Sequence, residues 1–134
     1  MAAPFDVFVV TPEREVWHGQ ATIVIARGTE GELGIMNGHT PLLIQLGIGP
    51  MFIEPVEGAR LAAAVDGGFL HVVTANGETR VDVMADAAEL REEIDVERAR
   101  REKAEAERRL AADREDQEAA AELARAETRL GLTA

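Results

Sequence analysis

The chain has 134 residues, a formal net charge of −11 and no cysteine. That is one ordinary domain, or one small domain with an appendage, without a disulfide framework or thiolate metal site. Both parts of the chain are acidic, with 4 basic against 10 acidic side chains before residue 86 and 10 against 15 from there on, and a nucleic-acid partner, which requires a Lys/Arg surplus, is excluded.

Thirteen of the fourteen basic residues are arginine, Lys103 being the exception, a bias expected of a GC-rich bacterial genome. Met1–Asp6 has no basic segment leading into an apolar one, so no signal peptide is read there. Leu33 to Ile53 is uncharged and long enough to span a bilayer, but its two prolines and four glycines would leave backbone groups unsatisfied in lipid. Any membrane association must therefore go through a partner.

All five prolines, all four phenylalanines, the only tryptophan and eleven of the twelve glycines lie in residues 1–85. In chain order, Phe5, Val7 and Val9 alternate as a half-buried strand does, followed by Ala21, Ile23 and Ile25. Glu57-Gly58 turns Met51–Val56 back into Ala59–Val65. Phe69–Val73 is continuously apolar except for His71, which suits a strand inside a sandwich. Asn76-Gly77 is a two-residue hairpin signal leading into Val81, Val83 and Ala85. The pattern predicts a small antiparallel sandwich or barrel.

Residues 86–134 are almost entirely Ala, Glu, Arg, Asp and Leu, a composition for helices. Asp95, with Ile94 before it, is the expected N-cap of a first helix running to about Ala112, and Asp86 with Glu89 is a rival start. Asp113 is expected to cap a second helix, ended by Gly131 at its C′ position. Val96, Ala99, Lys103, Ala106 and Leu110 form one stripe, and Ala119, Leu123, Ala126 and Leu130 another, so the helices can close as an antiparallel hairpin. A seam made mostly of alanine buries little and should open at modest cost.

Catalytic chemistry is hard to find. Serine, cysteine and tyrosine are absent, and no base stands beside Thr, Lys103 or a carboxylate in sequence to activate it as a nucleophile. There is no P-loop and no GxGxxG. His18, His39 and His71 are isolated, and a lone histidine is more often structural than a metal ligand or base. The chain is therefore not expected to be an enzyme by itself.

The densest signal is the run Gly31-Glu32-Leu33-Gly34-Ile35-Met36-Asn37-Gly38-His39-Thr40-Pro41-Leu42-Leu43. Bottom-up it reads as a sharply turning loop with Gly31, Gly34 and Gly38 at positive φ, or as a loop presenting Glu32 and His39 to a partner. Together with Val65-Asp66-Gly67-Gly68-Phe69 and Met84-Ala85-Asp86-Ala87-Ala88 it resembles the epsilon subunit of F-type ATP synthases. Asn37 replaces the family's usual proline and Thr40 its frequent alanine, without changing the spacing. The resemblance covers nearly the whole chain.

The resemblance implies a β-sandwich of about ten strands over residues 1–86 and a mobile helical hairpin over 87–134. It also implies a non-catalytic place on the rotor of a proton-translocating synthase, peripheral at the cytoplasmic face of the bacterial plasma membrane. The sandwich would bind the gamma subunit and the c-ring, with Glu32 and His39 facing the c-ring. The hairpin would extend along gamma into the alpha/beta catalytic hexamer and restrain ATP hydrolysis. About 36 helical residues in one rod reach roughly 54 Å.

No cofactor is required, but ATP is a candidate regulatory ligand. Ile94-Asp95-Val96-Glu97-Arg98-Ala99 is similar to the I/L-D-x-x-R-A segment of nucleotide-binding relatives, with Glu89, Arg125 and Arg129 as the remaining candidate contacts. The alternative is that Asp95 is only a cap and Arg98 a solvated charge. Arg98, Arg100, Arg101, Lys103, Arg108 and Arg109 resemble the family's inhibitory basic face. Glu97/Arg101 and Glu105/Arg109 could instead merely stabilise the helix at i,i+4 spacing. A free-standing ligand-binding sandwich with a coiled-coil oligomerisation tail is the competing reading of the whole architecture.

Overall fold

The computed structural model describes residues 3–134. Seven strands come first: β1 (Phe5–Val10), β2 (Glu15–Gly28), β3 (Gly31–Ile35), β4 (Leu42–Gln45), β5 (Ile48–Pro55), β6 (Leu61–Ala75) and β7 (Glu78–Leu90). A 3-10 turn over Arg91–Glu93 leads into α1 (Val96–Ala112) and α2 (Gln117–Thr133). The sheet runs β1-β7-β6-β5-β2-β3, β4 adds to β6, and β1 also pairs β2, which closes the layers on each other.

Where about ten strands were expected, seven are formed among the described residues, because the long ones serve two neighbourhoods without a break. Residues 61–66 of β6 lie between β5 and the end of β7, whereas residues 69–72 lie between β4 and the start of β7. The bend between these halves is Gly67-Gly68, both at positive φ. A Cβ on Gly68 would collide with the Met84 carbonyl and the Ala85 Cα, so no other residue fits that crossing. The sandwich is not wholly antiparallel either, since β1 pairs β7 in parallel.

The core is aliphatic. Val7, Val9, Val24, Ile35, Met51, Leu70, Val72, Val81 and Val83 are fully buried. Phe5, Val7 and Val9 face it as their alternation predicts, and so do Val81, Val83 and Ala85. On β2 the alternation misleads. Ala21 is buried, but Val24 and Ala26 are buried in place of Ile23 and Ile25, because the pairing with β5 slips between Ala21 and Ile23. One extra residue in a strand turns every later side chain to the opposite face.

The run Phe69–Val73 is likewise not buried throughout. Leu70 and Val72 face the core while Phe69 and Val73 are exposed. The hairpin at Asn76-Gly77 forms as expected, with φ of 55° and 78°. Of the three loop glycines expected at positive φ, Gly31 and Gly38 adopt it, whereas Gly34 is part of β3 opposite Ile25.

The compositional break near residue 86 falls inside β7, which stays paired with β6 as far as Ala63 opposite Leu90. Asp86 and Glu89 are therefore strand residues, and the rival helix start is not used. Asp95 is the N-cap of α1, its carboxylate accepting from the Arg98 N–H at 3.0 Å. Asp113 does not cap α2. Its side chain accepts from the Glu115 N–H at 3.0 Å in the reversing turn, which moves the cap to Asp116, whose carboxylate accepts from the Ala119 N–H at 2.9 Å. Gly131 does not end α2, which continues to Thr133; the Thr133 hydroxyl donates back to the carbonyls of Arg129 and Leu130.

The hairpin closes along Ala99 and Ala106 of α1 and Ala119 and Ala126 of α2, all fully buried, while Val96, Lys103, Leu110, Leu123 and Leu130 of the predicted stripes are half-buried. α2 lies on β5 and β6, and α1 packs against α2. Each buried methyl contributes about 0.8 kcal/mol, so the alanine contact itself supplies only about 3 kcal/mol. It leaves no room for anything larger. Ala126→Leu should overpack the seam by about 1–3 kcal/mol, lowering the melting temperature of the helical signal and speeding proteolysis within 96–133. A fragment matching the sandwich should survive that digestion.

Candidate functional site

Four surfaces carry the candidate residues. The first is the run 31–43. Glu32 lies in β3 opposite Arg27, exposed, in a hollow shared with Leu43 and Gln45. His39 lies beyond the other end of β3, in a turn where its N–H donates to the Met36 carbonyl at 3.1 Å. Gly38, at φ 88°, takes the third position of that turn, which requires the left-handed region. No hydrogen bond or ion pair joins Glu32 to His39 among the described residues.

Two threonines hold the His39 turn. Thr74 Oγ1 donates to the His39 carbonyl at 2.8 Å, so in the 2.9 Å contact between Thr74 and Thr79 the proton must come from Thr79. The Thr79 oxygen then accepts from the Gly38 N–H at 2.7 Å. The hydroxyl order has one solution, and it pins the backbone on both sides of the Gly38–His39 peptide. Thr79 is buried, the buried polar residue that the sequence reading missed; its place after the Asn76-Gly77 hairpin was the available signal. His39 Nδ1 donates to the Thr40 carbonyl at 2.7 Å, which leaves Nε2 as the acceptor of the neutral ring.

The second surface is the outer face of β4, β6, β7 and β1. Gln45 pairs Phe69, Phe69 pairs Met84 and Met84 pairs Val10; the next row is Leu43, His71, Asp82 and Phe8. Leu43, Phe69, Met84 and Val73 are 62%, 48%, 42% and 39% exposed, apolar side chains grouped on one face of the sheet and interleaved with Gln45, His71, Arg80 and Asp82, and exposed apolar groupings are candidates for docking. Arg80 lies over the Phe8 ring at 4.3 Å and His18 stacks on it at 4.0 Å, an aromatic edge to this face.

The third surface is the outer side of α1. Arg98, Arg100 and Arg108 have side chains 71%, 63% and 69% exposed. Arg101 is exposed and Lys103 half-buried. The ion pairs differ from the expected set: Arg100 pairs Glu97 at 2.6 Å and Arg108 pairs Glu105 at 2.5 Å, both at i,i+3, and Arg98 meets Glu102 at 3.4 Å. Arg109 leaves the basic face altogether. It turns inward across the hairpin to Glu122 at 2.9 Å and Asp116 at 3.2 Å.

The fourth surface is the junction of hairpin and sandwich. Glu89, Asp95, Arg98 and Arg129 line one hollow of about 200 Å³ together with Glu93 and Glu102. Arg125 lines a separate one beneath α2, about 110 Å³ in volume. Arg125 Nε donates to Asp66 Oδ2 at 2.5 Å, and Arg129 Nε donates to Glu89 Oε1. Ala99 is in the alanine seam and Ile94 is half-buried in the connection before α1. Four carboxylates to two guanidiniums in the larger hollow oppose an added polyanion. Asp66, on the Val65–Phe69 motif, was not read from the sequence as a partner of Arg125.

Residues 4–91 match the family profile described as the ATP synthase delta/epsilon chain, beta-sandwich domain. The chain is 43% identical over 134 residues to the ATP synthase epsilon chain of Streptomyces griseus, covering all of this chain and 98% of that one. It is 46% identical over 136 residues to that of Thermobifida fusca, covering 97% and 93%. The chain belongs to the ATP synthase epsilon family.

A chain of the Euglena gracilis mitochondrial ATP synthase, solved as OSCP/F1/c-ring, superposes with a TM-score of 0.82 at 23% identity, covering all of this chain and 84% of that one. A chain from the Tetrahymena thermophila mitochondrial ATP synthase central stalk and c-ring gives 0.53 at 21% identity over 69% and 70%. At those identities the likeness is one of fold. Membership makes the chain a non-catalytic subunit of the synthase, and the reading as a free-standing ligand-binding module falls. Among the described residues no helix is long and apolar enough to cross a membrane.

Asp116 within the hairpin and Glu93 in the 3-10 turn that leads into it carry shifted titrations. The Ala119 N–H, followed by the charge of Arg109, holds the Asp116 carboxyl below its ordinary 3.8 against partial burial. The Arg14 guanidinium, at 2.7 Å, and then the Leu90 N–H hold Glu93 below 4.5. Because both folded values are depressed, their contribution is complete above the ordinary values and disappears as pH falls through the folded ones. Hairpin stability should be flat from neutrality to about pH 5 and decline below 4.5 and 3.8. Thermal melts of the helical circular dichroism read this directly, and Asp116→Asn should flatten part of the acid limb.

Proposed function

We propose that this epsilon chain is a rotor subunit that couples gamma to the c-ring during proton-driven ATP synthesis, peripheral at the cytoplasmic face of a bacterial plasma membrane. The observation that carries this is the exposed apolar face of Leu43, Phe69, Val73 and Met84. Nothing in the described residues of this chain covers it, and a subunit with no enzymatic chemistry of its own has such a face in order to be bound. Gamma is the partner assigned to it. The assignment of the c-ring to Glu32 and His39 is supported by the exposure of Glu32, by the rigidly held backbone that carries the half-buried His39 and by the c-ring assemblies in which the structural neighbours were solved.

The hairpin serves as a restraint on ATP hydrolysis. What supports this is the mismatch between an alanine seam worth a few kcal/mol and a helix face crowded with exposed arginine. Opened, the hairpin would offer Arg98, Arg100, Arg101, Lys103 and Arg108 to acidic surfaces of the alpha/beta catalytic hexamer. Arg109 would join them only after its cross-hairpin pairs break. ATP is the proposed regulatory ligand at the junction of Glu89, Ile94, Asp95, Arg98, Ala99, Arg125 and Arg129, where it would have to displace the carboxylates that Arg125 and Arg129 already hold.

Replacing Glu32 and His39 by alanine together should leave the sandwich folded, since both side chains stand outside the core. In membrane vesicles, proton pumping per ATP hydrolysed should fall severalfold. Undiminished pumping would end the c-ring assignment. Truncation has to respect β7: ending the chain after Glu93 keeps the whole sheet, whereas ending it at residue 86 would strip four residues from β7. The chain ended after Glu93 should still support ATP synthesis, and hydrolysis by the complex should rise. Hydrolysis equal to that of the full-length complex, with and without added ATP, would remove the restraint from the hairpin.

A further inference from the structure

Arg125 and Arg129 stand one turn apart on the face of α2 that meets the sandwich. Their partners come from two strands: Asp66 at the bend of β6, and Glu89 near the end of β7. Asp66 pairs Ala87 and Ala64 pairs Glu89 in the β6–β7 ladder, so the two carboxylates stand at diagonal positions on one face of a rigid backbone, about 7–8 Å apart and within reach of two long side chains one helical turn apart. The four side chains are between 27% and 35% exposed, and the hollow they frame has an apolar floor of Ile48, Ala64 and Val65. Each arginine also covers its partner from solvent.

These contacts differ from every other ion pair of the tail. The pairs on α1 are local and well exposed, Arg109 links the two helices to each other, and Arg14–Glu93 reaches only the 3-10 turn before α1. Among the described residues, only Arg125–Asp66 and Arg129–Glu89 join a hairpin helix to the sandwich by charge. They sit where α2 is the sole layer between α1 and the sheet. Release of α2 from the sandwich must therefore break both.

We propose that the two pairs form a built-in latch. Asp66 and Glu89 occupy the anion receptor that the two arginines would otherwise present to a ligand, so the empty chain closes its own hairpin. High ionic strength, or a polyanion bound by the arginines, competes with the same two carboxylates. The inference rests on the reading of the hairpin as a mobile arm, and it adds that closure does not wait for nucleotide.

The test uses the full chain. With no native cysteine, single cysteines can replace exposed Glu57 on the sandwich and exposed Ala120 on α2 and carry spin labels. Pulsed dipolar spectroscopy then reads the closed and open populations in nucleotide-free buffer. Between 0.1 and 1 M KCl the screening length contracts from about 10 to 3 Å, and the open fraction should rise about three- to tenfold, the range two partly exposed pairs allow.

The isosteric double variant Asp66→Asn/Glu89→Gln should show that open fraction already at 0.1 M and respond little to further salt. Arg108→Gln, at an exposed pair within α1, should behave as the parent does. A double variant with the parent's open fraction and salt response would overturn the latch. A hairpin that stays closed in every sample, including the seam variant Ala126→Leu, would overturn the mobile arm itself.

Discussion

The ladder between β6 and β7 is the constraint on which the candidate surfaces of the sandwich and its junction with α2 depend. It runs from Ala63 opposite Leu90 to Ala75 opposite Glu78 and bends once, at Gly67-Gly68. Its turn end supplies Thr74 and Thr79, which fix the backbone around His39. Its outer middle supplies Phe69 and Met84 to the apolar face. Its far end supplies Asp66 and Glu89 to the arginines of α2. A slip of one residue along β7 would turn Met84 inward and Val83 outward, and a slip along β6 would do the same to Phe69 and Leu70, so either one would damage the core and the exposed apolar face together.

The two halves of the molecule are held by different physics. The sandwich is secured by an aliphatic core in which nine of the larger side chains are fully buried, and side chains of that size contribute about 1.5–3 kcal/mol each. The hairpin is secured by four alanine methyls, helix caps and ion pairs. Partly exposed ion pairs contribute up to about 1 kcal/mol each and are weakened by salt. A rigid platform carrying a weakly docked arm follows from that difference. On the proposed reading the same weakness accounts for the charge density, because a helix that leaves the sandwich cannot rely on apolar packing and uses local Glu–Arg pairs instead.

Much of this was legible from residue order. Alternation found β1 and the start of β7, Asn76-Gly77 found the hairpin, and Asp95 was read correctly as a cap because a carboxylate before a helical run has one strong local use. The errors arose where local pattern is overruled by pairing. Ile23 and Ile25 alternate properly but follow a register slip that only β5 reveals. Phe69–Val73 looks like a buried run because its exposed apolar residues, Phe69 and Val73, and its core residues, Leu70 and Val72, have the same composition. The composition changes at residue 86, but β7 runs on to Leu90, because pairing with β6 rather than residue type decides where the strand ends. Asp113 and Asp116 are equally good caps in sequence, and the geometry of the reversing turn chooses between them.

The candidate site was legible by type and not by pairing. Arg98, Arg125 and Arg129 stand out in the sequence as candidate ATP contacts, and the last two do face the sandwich from α2. Guanidiniums aimed at a protein surface need an anion wherever they are partly buried, because leaving such a charge unmatched costs far more than an exposed pair contributes. The chain places two carboxylates there. Asp66 lies far from α2 in sequence and in a motif dominated by glycine, so only the fold brings it to Arg125. A regulator that accepts an anionic ligand at the same arginines must therefore have two closed states, one filled by its own carboxylates and one by the ligand. The balance between them depends on how much more strongly a polyanion holds two guanidiniums than two separate carboxylates do.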